Sequence, residues 1–319
     1  MNHLPRGFTL IELSIVLVII GLIVGGVLVG RELISAAEVR ATIAQIEKYQ
    51  TAVNTFRGKY GYLPGDIKDP DASQFGFAAR GAYKGEGDGN GIIEAVNSNA
   101  PGNNSGRYSI SGEAAMFWSD LTYANGMKLS LIDGSFSTAT PLGPPASIAG
   151  TALGNYLPAA KIGRGNYIYV WSGGWKEWNS GNPPGDNVNY FSIAYDVGMD
   201  SSFAPYMAVG PGLTVAQAYS IDKKMDDGLP QSGAVMTMFN AWFTTWPAGG
   251  SFDPIRGSLV RGGYESSTGG PLAAGSSVAT PSSATTCYDN GNVAGATEQY
   301  SVSVSGTGVN CALSFRFQQ

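Results

Sequence analysis

The first thirty residues constrain the fold of this chain more than any other stretch. A mostly polar leader, residues 1–7, ends in Gly7, and an apolar run from Phe8 to Gly30 follows with Glu12 as its one charge. As an α-helix this run is roughly 35 Å long, enough to cross a bilayer core of about 30 Å. A secretory signal is cleaved beyond its apolar core, whereas the candidate site here, Gly7-Phe8, precedes it. Cleavage there would leave the apolar helix on the mature protein.

The residues around this site resemble a known processing signal. The segment from Gly7 to Leu13, GFTLIEL, is similar to the signal of type IV prepilins and type II secretion pseudopilins. The resemblance implies that a prepilin peptidase cleaves between Gly7 and Phe8 and that the new Phe8 amine is methylated. It also implies that the helix assembles into the core of a filament.

The same resemblance implies a location and partners. The helix would cross the bacterial inner membrane once, with the head outside the cytoplasm, before the subunit enters a pilus or a periplasmic filament. The expected partners are the prepilin peptidase, the inner-membrane assembly platform and other pilins, in a homopolymer or a heteropolymer.

Glu12 is a candidate assembly residue on chemical grounds as well. A carboxylate inside an apolar helix is costly and usually marks function; alone it would protonate or seek a cation. The Phe8 amine is one turn away, and the resemblance suggests the amine of a neighbouring subunit as the partner. The alternative is a plain signal-anchor helix that tolerates a snorkelling Glu12.

Composition narrows the classes of function. Of the 319 residues 13% are charged, against roughly 25% in typical soluble domains, and 45 are glycine, which indicates a loop-rich head. The net charge of −5 and the absence of a basic cluster argue against nucleic acid as a partner. The single histidine, His3, lies in the leader. A processed chain would lack histidine-dependent catalysis, so no enzyme is expected, although a glycosidase that uses only carboxylates stays open.

We predict an α+β pilin fold in four parts. Residues 1–7 form the leader, 8–30 the membrane or filament-core half of one long helix, 31–60 its amphipathic half and 61–319 the head. Apolar residues recur at steps of three and four from Val39 to Tyr60, which is the helix period.

Further helices and strands are predicted in the head. Capping and apolar spacing predict helices at 111–124 and from Thr214 towards Gly228. Strand composition at 167–171 and 190–195 predicts an antiparallel pair. Leu63-Pro64-Gly65-Asp66 and the segment Ile221–Pro230, with its paired carboxylates, resemble segments of pilin-like heads and are interpreted as structural.

The two cysteines, Cys287 and Cys311, are predicted to form a disulfide, because an exported chain meets an oxidising compartment. Two free thiols are the alternative. Alternating residues at 300–304 and 312–317 predict two strands. The disulfide would therefore tie a closing hairpin, similar to the C-terminal disulfide loop of many pilins.

A glycine-rich loop, Glu86–Glu94, is a candidate calcium site. Alternate oxygen side chains at Glu86, Asp88 and Asn90, with the carbonyl of Ile92, match part of an EF-hand-like loop. Glu replaces Asp at the first position, and the twelfth position, Asn97, cannot give a bidentate carboxylate. The alternative is a turn that uses these residues for their backbone tolerance.

The function predicted is that of a structural subunit of a type IV pilus or a related type II secretion-like filament. The alternative is a minor tip pilin that acts as an adhesin, binding a surface or a carbohydrate through its aromatic, Asn/Gly-rich head. Trp175 and Trp178, in a polar loop, are candidates for such binding, or else they cover the sheet.

Overall fold

The structure is a computed structural model that describes residues 9–81, 85–96, 104–105, 112–124, 127–137, 150–172, 188–200, 206–210, 212–230, 232–240, 259–261, 287–289, 297 and 299–317. The helices are α1 (Leu10–Tyr60), α2 (Asp71–Phe75), α3 (Gly112–Thr122), α4 (Val215–Met225) and α5 (Val302–Ser305), with a 3-10 helix at Gly150–Asn155. The strands are β1 (Ala95–Val96), β2 (Asn104–Ser105), β3 (Tyr123–Ala124), β4 (Met127–Lys128), β5 (Asn166–Ser172), β6 (Asn189–Asp200), β7 (Tyr206–Gly210), β8 (Leu213–Thr214), β9 (Val235–Met236), β10 (Met238–Asn240), β11 (Leu259–Arg261), β12 (Tyr288–Asp289), β13 (Gln299–Tyr300), β14 (Val309–Cys311) and β15 (Leu313–Arg316).

The long helix α1 is continuous, as predicted. Its 51 residues contain no proline, and at helical rise they span roughly 77 Å. Thr9 caps the N-terminus, and Gly61 ends the helix with φ 79°, donating its N–H to the Arg57 carbonyl. Glycine suits this position because side-chain-bearing residues rarely adopt positive φ.

The two halves of α1 differ in burial. The large apolar side chains from Leu10 to Ile34 are exposed. In the outer half of the helix, residues 31–60, one face is buried against the head. The period of that face is the helical one seen in the sequence. Its buried members are Val39, Thr42, Ile46, Tyr49, Ala52, Val53 and Phe56.

The head is built on a five-stranded antiparallel sheet. β6 lies between β5 and β15, β9 flanks β15, and β7 pairs with the later part of β6. Helix α3 lies between this sheet and α1. The Trp118 ring of α3 has its centroid 5.0 Å from that of Tyr49 on α1 and 6.0 Å from that of Phe191 on β6. Together with the antiparallel head, the long helix gives an α+β pilin-like layout.

Several local predictions are confirmed. The strands predicted at 167–171 and 190–195 are β5 and β6, and they pair antiparallel. Helix α4 begins after Thr214, whose side chain accepts the Gln217 N–H. Helix α3 ends at Thr122, two residues before its predicted end, because Tyr123–Ala124 turns into a short strand that pairs with Met127–Lys128.

The predicted C-terminal hairpin is wrong. β13 covers only Gln299–Tyr300 and pairs with β12, and the chain then forms α5. β15 pairs with β6 and β9 instead. Five alternating residues are too few to separate a strand from a helical turn. Long-range hydrogen bonds determine the conformation of this segment, since the Ser301 N–H donates to the Cys287 carbonyl and the Tyr300 hydroxyl donates to Asp222 on α4.

Candidate functional site

The described part of the processing motif begins at Thr9, and Gly7 and Phe8 lie outside the described residues. The Thr9 N–H and hydroxyl both donate to Glu12 Oε2 at 2.8 Å. The Glu12 N–H donates back to Thr9 Oγ1 at 3.3 Å. This reciprocal capping box satisfies otherwise free amides at the helix start. It places the Glu12 carboxylate at the very beginning of α1.

The inner half of α1 presents an apolar surface on every side. Among the residues that the structure describes, α1 is the helix that is long and apolar enough to cross a membrane, and its most apolar window is 0% buried. So much exposed apolar side chain is costly in water. This surface fits a membrane-anchored helix.

A second site lies in the head, where two buried carboxylates hold the glycine-rich loop of residues 85–94. Asp66 accepts the backbone N–H groups of Gly89, Asn90 and Gly91 at 2.8, 3.2 and 2.8 Å. Glu113, at the start of α3, accepts three more from this loop. These come from Gly87, Asp88 and Glu94 at 3.1, 3.3 and 2.8 Å. We call this arrangement of Asp66, Glu113 and loop 85–94 the carboxylate clasp.

Among the predicted calcium ligands, Asp88, Asn90 and Ile92 are joined by hydrogen bonds. Asp88 and Asn90 meet, since Asn90 Nδ2 donates to Asp88 Oδ2 at 3.1 Å and the Asn90 N–H donates to Asp88 Oδ1 at 3.0 Å. The Ile92 N–H donates to Asn90 Oδ1 at 2.7 Å. Glu86 is buried, with its carboxylate so close to Gly81 that a Cβ there would overlap it.

The group of close carboxylates that the structure assembles is different from the predicted ligand set. One carboxylate oxygen each of Asp66, Asp88 and Glu113 lies within 4.8 Å of the other two. Calcium binding by Glu86, Asp88, Asn90 and Ile92 stays a prediction, and Asn97 lies outside the described residues.

The environment of the clasp favours protonated carboxyls. Burial raises the pKa of Asp66 to about 7, and the nearby Asp88 charge adds to the rise, against the lowering effect of the donated N–H groups. Burial likewise raises the pKa of Glu113 well above its ordinary value, and the Asp66 charge adds to it. Both shifts follow from the cost of placing like charges close together away from water.

A buried ion pair lies beside the clasp. Arg80 Nη2 is 2.6 Å from Asp120 Oδ2, and both side chains are buried. Arg80 Nε donates to the Ile67 carbonyl and Nη1 to Met116 Sδ, while Asp120 also accepts the Gly65 N–H. Burial raises the pKa of Asp120, and the Arg80 charge opposes this rise. The pair thus joins three segments of the chain.

The comparison with known proteins bears on the N-terminal site. A family model, the prokaryotic N-terminal methylation motif, matches residues 4–28. The chain carries a type IV pilin-like prepilin signal. The matched segment contains Gly7, Phe8, Glu12 and most of the exposed half of α1. No curated protein and no solved structure matches the chain.

The prepilin signal has consequences for the whole chain. It supports a type IV pilin-like or pseudopilin subunit in general, processed by a prepilin peptidase and able to polymerise with pilins. It points to a structural protein rather than an enzyme. The apolar N-terminal helix fits a membrane-anchored pilin.

The pilin-like head contains the predicted disulfide. Cys287 and Cys311 are bonded, with their Cα atoms 5.3 Å apart. Cys311 ends β14, which pairs with β8 rather than with a strand from 300–304. The disulfide therefore ties the segment at 287–289 to the edge of the head where α4 begins. Trp175 and Trp178, the candidate adhesin residues, lie outside the described residues.

The end of α4 carries a second group of acidic side chains, of which Asp222 is buried and Asp227 is exposed. Asp226 accepts the N–H groups of Ala234 and Val235, and Asp227 accepts the Leu229 N–H. Asp222, whose pKa burial raises to about 7, accepts the Tyr300 hydroxyl. Asp226 therefore holds the segment that leads into β9, Asp227 closes the turn after α4, and Asp222 joins α4 to β13.

Sequence reasoning missed the clasp residues Asp66 and Glu113 and the pair Arg80–Asp120. In the sequence, Asp66 ends the Leu63–Asp66 segment and Glu113 falls near the start of the helix predicted at 111–124. The backbone partners of Asp66 and Glu113 lie 19 to 26 residues away in the chain, and Arg80 and Asp120 are 40 residues apart. The positions of Asp66 and Glu113 give one signal in the sequence, because acidic residues at turns and at helix starts favour hydrogen bonds to backbone N–H groups.

Proposed function

We propose that this chain is a structural subunit of a type IV pilus or a related type II secretion-like filament. In this proposal the leader is removed after Gly7, Phe8 is methylated, and the subunit polymerises through α1. The observation that carries the proposal is the prepilin signal at residues 4–28, continued by an exposed apolar helix. A single pass through the inner membrane, with the head outside the cytoplasm, follows from the same proposal.

The burial along α1 supports assembly by helix packing. The outer half is already bound to the head through residues such as Ile46 and Phe56, whose side chains are fully buried. The apolar side chains of the inner half are exposed among the residues that the structure describes, and in this proposal lipid covers them in the membrane. When the subunit leaves the membrane, copies of the same surface on neighbouring subunits take the place of lipid. Gly21, Gly25 and Gly26 have open space at their Cα atoms, which allows close helix approach.

Glu12 has a defined role in this proposal. Its carboxylate is held at the start of α1 by Thr9, the residue that follows Phe8. Cleavage after Gly7 creates a positive amine beside it, and in a filament the amine of a neighbouring subunit completes the charge pairing. Inside an apolar assembly an unpaired charge is costly, so the pair favours subunits docked in the correct register.

Two measurements test the proposal. The intact mass of protein from sheared filaments should correspond to a chain that begins at Phe8 and carries one methyl group. Glu12→Ala should insert into the membrane normally but slow or abolish filament formation. Glu32→Ala, which removes an exposed carboxylate from the same helix outside the matched motif, is the control and should assemble normally.

Two results would overturn the proposal. One is a mature chain that still begins at Met1 or is cut beyond the apolar run. The other is Glu12→Ala filaments that form at the normal rate and number, since the carboxylate would then have no part in assembly.

A further inference from the structure

The loop held by the carboxylate clasp contains the dipeptide Asn90-Gly91. Asparagine followed by glycine is especially prone to deamidation, because glycine has no Cβ to hinder attack of its backbone nitrogen on the asparagine side chain. The fold requires glycine at this position, since Gly91 adopts φ 82°, in the left-handed region. The head therefore keeps a chemically reactive pair for a conformational reason.

The deamidation reaction needs water as its only co-reactant. The Gly91 nitrogen attacks Asn90 Cγ, a new C–N bond forms, and the bond from Cγ to Nδ2 breaks. The departing Nδ2 takes the proton of the Gly91 nitrogen and leaves as ammonia. Water then opens the cyclic imide at either carbonyl, which gives aspartate or isoaspartate at position 90. An intramolecular attack of this kind depends on the two reacting atoms reaching a near-attack geometry.

The nitrogen that would attack is held by the clasp in the closed loop. The Gly91 N–H donates to Asp66 Oδ2 at 2.8 Å. The preceding N–H groups, of Gly89 and Asn90, donate to Asp66 Oδ1 at 2.8 and 3.2 Å. Three consecutive backbone amides thus end on one buried carboxylate. A turn of the Gly91 peptide towards Asn90 Cγ would break these hydrogen bonds.

The side-chain amide that would be attacked is held as well. Asn90 Nδ2 donates to Asp88 Oδ2 and to Glu94 Oε2, each at 3.1 Å. Asn90 Oδ1 accepts the Ile92 N–H at 2.7 Å. These three hydrogen bonds use both N–H groups and the carbonyl oxygen of the amide. They fix the rotation of the side chain and hold its leaving group.

We propose that Asn90 is a latent deamidation site, which the carboxylate clasp keeps unreactive while loop 85–94 is closed and which reacts when the loop opens. The product has no N–H in its side chain, so both hydrogen bonds from Nδ2 are lost. It also places a further carboxylate beside Asp88 and Glu94. Because ammonia is released, the change is irreversible, and the loop afterwards closes less firmly. The site lies within the head and does not depend on the proposed filament role.

Peptide mapping by mass spectrometry tests this proposal on the full-length protein in detergent micelles with EDTA, incubated near neutral pH. The fraction of deamidated Asn90 is followed with time in the native protein and in the same protein unfolded in urea. Asn125-Gly126 and Asn290-Gly291, the other Asn-Gly pairs of the sequence, give two further reference rates in urea. We expect Asn90 to react at least about tenfold more slowly in the native protein than in urea, because loop opening must break several hydrogen bonds.

Two variants weaken the closed loop at different places. Asp66→Ala removes the acceptor of three backbone N–H groups. Asp88→Ala removes one acceptor of Asn90 Nδ2 and leaves Asp66 in place. Each should bring the native rate at Asn90 closer to the rate in urea, Asp66→Ala more so. Asp133→Ala, which removes a carboxylate whose side chain is 94% exposed, is the control and should react like the wild type.

Two further measurements complete the test. Tryptophan fluorescence shows whether each variant keeps its head core, and if Asp66→Ala loses it, Asp88→Ala decides alone. Asn90→Asp reproduces one product. Hydrogen exchange of its peptides covering 85–94, relative to peptides covering β5, should be several-fold faster than in the wild type.

Four outcomes would overturn the proposal. One is an Asn90 that reacts as fast in the native protein as in urea. Another is folded clasp variants that react at the wild-type rate. A third is an equal acceleration in Asp133→Ala, since net charge rather than the clasp would then set the rate. The last is loop exchange in Asn90→Asp that matches the wild type, because the product would then not loosen the loop.

Discussion

Two ion pairs of equal length but opposite burial allow a sharp prediction about stability. The Arg80–Asp120 and Lys48–Asp133 pairs both have nitrogen–oxygen distances of 2.6 Å. The side chains of the first pair are 0% and 3% exposed, and those of the second are 45% and 94% exposed. If distance alone mattered, breaking either pair would cost the same free energy of unfolding. A difference between the two costs therefore measures the effect of burial.

Replacement of Arg80 by Met keeps much of the side-chain volume but removes the charge. Among the residues that the structure describes, Asp120 is then left buried with the Gly65 N–H as a donor. Loss of one partner of a buried pair costs about 3–5 kcal/mol of the free energy of unfolding. The same change at Lys48 should cost roughly 0–1 kcal/mol, because the pair is in water.

The measurement is urea unfolding of the detergent-solubilised protein, followed by tryptophan fluorescence. Trp118 lies on α3 two residues before Asp120 and contacts α1 and the sheet, so its emission reports the loss of the head core. In Arg80→Met the pKa of Asp120 should rise further, since burial would then be opposed by the Gly65 N–H but no longer by the Arg80 charge. Its folded pKa would exceed the unfolded one, so the destabilisation should be smallest at acidic pH and grow as pH rises.

The reasoning fails if Arg80→Met and Lys48→Met lower the free energy of unfolding by the same amount. It also fails if Arg80→Met is as stable at pH 8 as at pH 5. The double variant Arg80→Met/Asp120→Leu removes both charges and should recover part of the loss, because an apolar pair can replace a buried ion pair.

Two further predictions concern the head. Cys287 and Cys311 are 24 residues apart in sequence, and reduction of their disulfide should lower the free energy of unfolding by roughly 3–4 kcal/mol. Urea unfolding with and without reductant measures this loss. Complete alkylation of both thiols in native, unreduced protein would contradict the disulfide. If the predicted calcium site exists, calorimetric titration of the full-length protein with Ca²⁺ should give saturable heat that an Asp88→Ala/Asn90→Ala variant lacks. No heat, or equal heat from both proteins, leaves the turn interpretation.

Local patterns in the sequence were sufficient to predict the helices and strands that depend on residues near one another in the chain. The apolar run after Gly7 determined a helix that could cross a membrane, and the three- and four-residue spacing from Val39 to Tyr60 determined which face of α1 is buried. The strand composition at 167–171 and 190–195 and the cap at Thr214 likewise indicated the correct elements. Each of these features is encoded within a few turns or strand repeats, where one backbone conformation satisfies the local pattern.

The tertiary structure alone decided the features that rest on distant pairs. The last strand, β15, enters the sheet between β6 and β9 instead of closing a hairpin. Arg80 and Asp120, 40 residues apart, form one buried pair. The clasp binds the amides of loop 85–94 with carboxylates from outside that loop. The physical reason is that a buried polar group needs a partner and takes whichever one the packed chain brings within hydrogen-bond distance. That choice is made by the whole core, so the residues flanking a carboxylate do not reveal it.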